Sequence, residues 1–302
     1  MAVHNNTHNQ VLRPANIPEL FSIWNRFPDA VPYAGGTGIM RSGSDPGGVR
    51  GVFREQPELP DQILSLERID DLRGITRTER YLEFGAMVHL SEIIALGKIV
   101  PGAFSQTILG IAGPLVRNMA SIGGNIYSKG DTIAPLCALD AVYELRNANS
   151  SRWISAIRYS ALIEKNEAPL PGELITRIRI PLEEWNYSMY RKFTACEASA
   201  ACETSAASET GVVSENGVLI LVVQNHKNML ANINVVFAGD TLLRDKDSEF
   251  FLEGKALPLD KRDANHFRKL WESYLENVTY PRPLLRSKIL NAIETGIAGL
   301  SD

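Results

Sequence analysis

The sequence has few of the residues that most often build a disulfide scaffold or a metal centre. Its 302 residues contain three cysteines and five histidines. Cys137, Cys196 and Cys202 are too few for a disulfide framework, and an iron–sulfur cluster needs four thiolates. The histidines show no metal-ligand spacing. We therefore expect no disulfide scaffold, metal centre or iron–sulfur cluster on this chain.

Clustered positive charge and long apolar runs are also lacking. The formal net charge is −4, whereas a protein that binds a nucleic-acid backbone normally carries a clustered excess of Lys and Arg. No apolar run approaches the roughly 18 residues of a membrane span, and residues 1–10 are polar, with no signal-peptide core. We expect a cytoplasmic protein that binds neither nucleic acid nor a membrane.

The composition, with 44% hydrophobic and 22% charged residues, is typical of a soluble globular protein, and the length predicts two domains. The strands and helices that the sequence predicts favour an α+β fold. The composition changes near Leu182 to Ser188, where we expect the boundary. Beyond it, Val212-Val213 and Val218 to Val223 flank Asn216-Gly217, a strong hairpin signal. With Ile233 to Phe237 they predict a three-stranded antiparallel sheet, followed by helices.

Two glycine pairs stand far apart in the sequence, in Ala34-Gly35-Gly36-Thr37-Gly38 and in Ser121-Ile122-Gly123-Gly124-Asn125. Glycine lacks a Cβ, so its backbone can bring bare N–H groups against a clustered anion such as a pyrophosphate. Either pair alone is more typical of a tight turn. The chain has no G-x-G-x-x-G and no Walker loop. Together the pairs favour a dinucleotide held between two loops of a non-Rossmann fold.

The motifs around these glycines resemble the FAD-binding medium subunit of the xanthine dehydrogenase and carbon monoxide dehydrogenase family of molybdenum hydroxylases. Their order and spacing agree over nearly the whole chain, and the motif around Gly123 is the most specific. The C-terminal third is the weaker part. The segments that carry the resemblance are Ala34 to Thr37, Val116 to Ile126, Ala138 to Ala141, Glu173 to Pro181, Tyr190 to Phe193 and Phe237 to Gly239.

The resemblance implies a fold for each domain. Residues 1–182 would form an FAD-binding domain of the PCMH (vanillyl-alcohol oxidase-like) type, with subdomains at about 11–68 and 69–182. Residues 188–302 would form a smaller α+β domain of the CO dehydrogenase flavoprotein type.

The resemblance also implies FAD as the cofactor, with its pyrophosphate between the two glycine segments. Asp131 would accept hydrogen bonds from FAD hydroxyls, and Tyr190 would lie against the isoalloxazine. Alternatively, Asp131 is only a helix N-cap and Tyr190 an ordinary strand aromatic. Neither glycine segment contains His or Cys, so we expect noncovalent FAD. The segment residues implied in binding are Ala34, Gly35, Gly36, Thr37, Gly38, Ser121, Ile122, Gly123, Gly124 and Asn125.

The implied activity is electron transfer from iron–sulfur clusters through FAD to NAD or another acceptor. The 2Fe-2S clusters and the molybdenum cofactor would reside on partner subunits, and this chain would carry no catalytic acid, base or nucleophile. A free-standing flavin oxidase or dehydrogenase and a degenerate, non-catalytic relative remain alternatives. Three departures from the family keep the degenerate relative open. They are the shortened Ile126 to Gly130 segment with Lys129, Gly38 where relatives often carry Asp or Ser, and an insertion at Arg41 to Pro60 that we expect to be a surface loop.

Overall fold

A computed structural model describes residues 10–38, 59–194 and 216–300. These residues form two compact units, 10–38 with 59–183 and 184–194 with 216–300. The predicted surface loop lies outside the described residues apart from Leu59 and Pro60, as do Cys196, Cys202 and the predicted strand at Val212-Val213. Within the described ranges, no helix is long and apolar enough to cross a lipid bilayer.

The first unit begins with a strand and an amphipathic helix. Helix α1 (Ile17–Arg26) starts where the Asn16 side chain accepts a hydrogen bond from the Glu19 N–H at 2.9 Å. Ile17, Leu20, Phe21 and Trp24 lie on one face at helical spacing and are all buried. This face is part of the core beneath a three-stranded sheet.

That sheet consists of three short parallel strands in the order β1-β3-β2, with β3 in the centre. Crossovers are needed between parallel strands, and α1 provides the one that precedes β2. The first glycine segment follows directly after β2. The strands are β1 (Gln10–Leu12), β2 (Val31–Tyr33) and β3 (Gln62–Ser65).

A second, antiparallel sheet of five strands occupies the rest of the first unit, in the order β4-β5-β8-β6-β7. Strands β6 and β7 form a hairpin, and the Asn147 Oδ1 stabilises its turn by accepting hydrogen bonds from the N–H groups of Asn149 and Ser150 at 2.9 and 2.8 Å. The strands are β4 (Ile75–Arg77), β5 (Tyr81–Gly85), β6 (Val142–Arg146), β7 (Ser151–Ser155) and β8 (Leu174–Pro181).

Short helices connect β5 to β6, and one further helix follows β7. The second glycine segment lies among them and forms the first turn of a helix rather than a loop. The helices are α2 (Leu90–Ala95), α3 (Gly102–Leu109), α4 (Pro114–Met119), α5 (Ile122–Tyr127), α6 (Ile133–Ala138) and α7 (Ala156–Glu164).

The second unit contains an antiparallel sheet in the order β12-β11-β10-β9. Two of its strands, β10 and β11, match predicted strands. The other two were not predicted: β9 pairs with β10, and the two-residue β12 pairs with the end of β11. The strands are β9 (Tyr187–Phe193), β10 (Gly217–His226), β11 (Met229–Ala238) and β12 (Leu242–Leu243).

The hairpin predicted at Asn216-Gly217 is wrong. Gly217 is the first residue of β10, where it pairs with Phe193, and it lacks the positive φ that a two-residue hairpin turn requires. The turn between β10 and β11 falls instead at Lys227 and Asn228, whose φ angles are 50° and 60°. The long run of β-branched and aliphatic residues keeps β10 extended past the Asn-Gly signal.

Three helices complete the second unit and share one apolar core with its sheet. Phe267, Trp271 and Leu275 follow helical spacing and are buried in that core. The predicted helical tail is confirmed in all three places: α8 (Lys246–Leu252), α9 (Lys261–Asn277) and α10 (Pro283–Ala298). Mixed helix and sheet in both units confirm the predicted α+β class.

Candidate cofactor site

The first glycine segment, defined as Ala34 to Gly38, turns sharply after β2. Gly36 has φ +69°, in the left-handed region, and a Cβ built there would lie 2.0 Å from the Tyr33 hydroxyl. A Cβ at Gly35 would lie 1.7 Å from the Met119 carbonyl oxygen. Both positions therefore require glycine, one for its backbone conformation and the other because another stretch of backbone lies against it.

The backbone N–H groups of residues 35–38 have no acceptor among the described residues. Thr37 and Gly38 already have helical backbone, and the first N–H groups of a helix have no intrahelical acceptor. Four successive donors are thus available to a ligand.

The second glycine segment, defined as Ser121 to Asn125, uses its N–H groups inside the protein. The N–H groups of Ile122 and Gly123 each donate to a backbone carbonyl oxygen, of Val88 and Ala86, at 2.9 Å. Ser121 caps α5 and its Oγ accepts from the Gly124 N–H at 3.1 Å. The Asn125 N–H donates to the Ser121 carbonyl oxygen at 2.9 Å.

The glycines of the second segment allow close packing. A Cβ at Gly123 would lie 2.8 Å from the Ala86 Cβ and 2.9 Å from its carbonyl oxygen. A Cβ at Gly124 would lie 2.9 Å from the Ser121 Oγ. Neither glycine has a positive φ. The second segment is thus locked onto the backbone at Ala86 to Val88, and its neighbour Met119 in turn supports Gly35.

The two segments border one cavity of about 540 Å³ in the first unit. This volume falls in the range of small-molecule and cofactor sites. Of the twelve predicted site residues, the eight that line it are Ala34, Gly35, Gly36, Thr37, Gly38, Ser121, Gly123 and Gly124.

The other four predicted residues do not line this cavity. Ile122 is fully buried, and the Asn125 Oδ1 accepts hydrogen bonds from Thr132, at 3.2 Å from its N–H and 2.7 Å from its hydroxyl. Asp131 directly precedes Thr132, which is the residue before α6. Tyr190 belongs to β9 in the second unit. Ligand contact by these residues remains a prediction.

The cavity lining carries no positive charge. Among its described residues there is no Lys, Arg, His or Cys, and its acids are Asp29 and Glu173. Glu173 is buried, and the Arg152 guanidinium donates to both of its oxygens at 2.9 and 3.1 Å. The carboxylate of Glu173 raises the pKa of Arg152 through this hydrogen-bonded pair. Any anion bound here would meet neutral backbone dipoles.

Arg117, which precedes the second segment on α4, is engaged elsewhere. Its Nη1 donates to the carbonyl oxygens of Ile111 and Ala112, both at 2.7 Å. These hydrogen bonds fix the connection between α3 and α4. Arg117 therefore acts as a structural clamp in this motif.

Sequence reasoning missed two walls of the cavity. One comes from α1 and the turn after it, where Trp24 and residues 28–32 line the cavity. The other consists of residues 169–175 and Tyr159. The only local signal for the latter was the turn-rich Pro169-Leu170-Pro171-Gly172, which sequence alone does not bring near either glycine segment.

Comparison with known proteins identifies the family. Residues 6–183 match the family model described as the FAD binding domain in molybdopterin dehydrogenase. Over 179 residues the chain is 30% identical to the carbon monoxide dehydrogenase medium chain of Afipia carboxidovorans, covering 56% of this chain and 57% of that one. It is 27% identical to the glyceraldehyde dehydrogenase medium chain of Sulfolobus acidocaldarius over 44% of this chain and 49% of that one. The chain thus spans about half the length of these relatives.

The fold agrees over a longer stretch. The crystal structure of quinoline 2-oxidoreductase from Pseudomonas putida 86 superimposes with a TM-score of 0.73 over 97% of this chain and 96% of that chain, at 17% sequence identity. At this identity the match establishes the fold alone. The family model covers more than half of the chain, and this chain accordingly belongs to the family of FAD binding domains of molybdopterin dehydrogenases.

Proposed function

We propose that this chain is the FAD-binding electron-transfer subunit of a molybdenum hydroxylase complex. It passes electrons from iron–sulfur clusters through FAD to NAD or another acceptor. The iron–sulfur clusters and the molybdenum cofactor reside on partner subunits, and the complex is cytoplasmic. This chain binds and orients the flavin, while the redox chemistry belongs to the cofactor.

The observation that carries the proposal is the row of N–H groups at residues 35–38. They lie in the lining of the 540 Å³ cavity, and no described residue accepts a hydrogen bond from them. Gly35, Gly36 and Thr37 are half-buried and Gly38 is exposed, so a ligand that enters the cavity can reach their N–H groups. A row of four at a cavity is a site for clustered anionic oxygens, which a pyrophosphate provides.

The residues present also fit the rest of a dinucleotide. A Cβ at residue 35 or 36 would push the first segment out of place, since that atom would collide with Met119 or Tyr33. Apolar side chains, among them Trp24, Leu66 and Met87, line the cavity beside these donors, and cofactor sites combine apolar walls with a few polar groups in this way. When FAD is bound, it accepts and releases the electrons.

The lining also favours noncovalent retention. Covalent flavins are attached through residues such as His or Cys, and neither is present among the described residues that line the cavity. The chain then holds FAD by hydrogen bonds and packing, and the cofactor dissociates when the fold is lost.

Substrate choice is proposed to lie on another subunit. Relatives with this domain or fold carry the names of a carbon monoxide dehydrogenase, a glyceraldehyde dehydrogenase and a quinoline oxidoreductase. These three substrates share little chemistry. A domain common to such different reactions serves what the reactions have in common, which is the removal of electrons.

Acid precipitation of the purified chain tests the cofactor. FAD should appear in the supernatant, where chromatography distinguishes it from FMN. Chain purified without flavin should bind added FAD and quench its fluorescence. A colourless protein that takes up no FAD would overturn the proposed function.

A gentle pull-down from native cells tests the complex. An iron–sulfur protein and a molybdenum-cofactor protein should co-purify, and the complex should reduce NAD or an artificial acceptor. A chain recovered alone whose FAD is reduced directly by an organic substrate would establish the free-standing oxidase instead.

A further inference from the structure

Tyr159 is a buried residue whose hydroxyl has no hydrogen-bond partner among the described residues. It lies on α7 with 0% of its surface exposed and belongs to the lining of the cavity. Buried hydroxyls are nearly always paired, because an unpaired one has lost its hydrogen bonds to water. Because Tyr159 also belongs to the cavity lining, a ligand in the cavity could supply the partner that the described residues do not.

The acidic neighbour of Tyr159 does not serve as that partner. The Glu173 oxygens already accept two hydrogen bonds from Arg152 and one from the Leu170 N–H at 3.1 Å. Burial, with the nearby Glu173 and Tyr127, raises the pKa of Tyr159. The phenol thus stays protonated at physiological pH and acts as a hydrogen-bond donor.

We propose that the Tyr159 hydroxyl donates a hydrogen bond to an oxygen or ring-nitrogen acceptor of the bound FAD. This inference rests on the proposed function and extends it to a third part of the site. Donors then approach the cofactor from two walls: the backbone of residues 35–38 and the side chain on α7. The tyrosine fixes the orientation of the cofactor in the cavity and takes no part in electron transfer.

Tyr143 provides a matched control. It is also fully buried with a hydroxyl that lacks a partner in the described residues, and its ring packs edge-on against Tyr159 with centroids 5.4 Å apart. Tyr143 is not part of the cavity lining. Removal of its hydroxyl perturbs the same core without touching a ligand.

The test compares Tyr159→Phe with Tyr143→Phe in the full chain, by FAD titration of the flavin-free protein and by thermal unfolding with and without FAD. A neutral hydrogen bond corresponds to roughly a three- to tenfold change in affinity. We expect Tyr159→Phe to raise the Kd for FAD by about that factor and to reduce the stabilisation by FAD. The flavin-free protein should unfold at the same or a higher temperature, because a buried unpaired hydroxyl is removed.

Tyr143→Phe should leave the Kd within about twofold of wild type, since no ligand contact is lost. Equal Kd values for Tyr159→Phe and wild type would overturn the proposal. An equal loss of affinity in both variants would also overturn it, because the effect would then come from the shared core. A wild-type chain that binds no FAD would instead refute the proposed function itself.

Discussion

The two glycine segments look alike in sequence and use their backbones in opposite ways. In the first, the N–H groups of residues 35–38 have no acceptor among the described residues. In the second, the N–H groups of residues 122–125 are all donated within the chain. Both segments line the same cavity. A Gly-Gly pair thus indicates that the backbone closely approaches another group. The hydrogen-bond partners of its N–H groups show whether that group belongs to the protein or to a ligand.

The comparison assigns different tasks to the two segments. The first presents donors, and the second forms a rigid support beneath it. Gly35 fits against the Met119 carbonyl oxygen, and the Leu90 N–H holds the adjacent Ala120 carbonyl oxygen at 2.9 Å. Our central claim is that the amides of the first segment, rather than those of the second, bind the pyrophosphate. Substitutions at three glycines should separate the tasks.

Gly35→Ala should have the largest effect. Its Cβ would meet the Met119 carbonyl oxygen at 1.7 Å, and neither backbone can yield without moving the first segment. We expect a loss of about 3 kcal/mol in the free energy of unfolding and a loss of FAD affinity of more than about tenfold in the folded fraction. Chemical denaturation measures the loss of stability, and FAD titration measures the loss of affinity.

The control for this variant is Gly74→Ala. A Cβ at Gly74 meets nothing within 4 Å, and its φ is not positive. Stability and FAD affinity should both stay near wild type. Wild-type FAD affinity in Gly35→Ala would mean that the first segment does not hold the cofactor.

Gly123→Ala should lower stability and spare binding. The added Cβ would lie 2.8 Å from the Ala86 Cβ, and overpacking of this kind typically destabilises by about 1–3 kcal/mol. FAD affinity of the folded protein should change less than about threefold, since the Gly123 N–H already has an acceptor. Chemical denaturation measures the loss of stability and FAD titration the affinity; a loss of FAD affinity of more than about tenfold in the folded protein would contradict the supporting role of Gly123.

Gly124→Ala should have the smallest effect. Its Cβ would meet only the Ser121 Oγ, at 2.9 Å, and a side chain can rotate away. Better helix propensity gains up to about 1 kcal/mol, while loss of the cap costs about the same. The free energy of unfolding should stay within about 1 kcal/mol of wild type, and the Kd for FAD should stay within about threefold of wild type. A tenfold loss of FAD affinity would mean that the second segment contacts the phosphates of FAD. The two segments would then not differ in function.

Much of the fold could be predicted because the relevant signals are local. The Asn16 cap and the apolar face of α1 act within one helix, and Asn147 shapes its own hairpin. The hairpin at Asn216-Gly217 failed, because pairing of Gly217 with Phe193 continues β10 through the signal. Strand β12 of that sheet was missed since Leu242 and Leu243 are too few to form a recognisable pattern.

The residues around the cavity could be predicted only in part. The glycine motifs were recognisable, and eight of the twelve predicted residues do line the cavity. Which N–H groups are engaged was not predictable, because the acceptor for Gly123 is the Ala86 carbonyl oxygen on a distant part of the chain. Tyr159 was missed for a similar reason: α7 reaches the cavity only through the packing of the unit.

Amide hydrogen exchange of the full chain, resolved by residue and measured with and without saturating FAD, tests the central claim most directly. Amides that are hydrogen-bonded within the protein exchange slowly before any ligand is added. Amides of β5, which lie outside the cavity lining, report the general stabilisation that ligand binding produces. We predict that the amides of residues 35–38 exchange fast in the flavin-free chain and become at least about tenfold slower with FAD, whereas those of residues 122–125 are slow in both states and change no more than β5. Strong new protection at residues 122–125 without any at 35–38 would contradict the account.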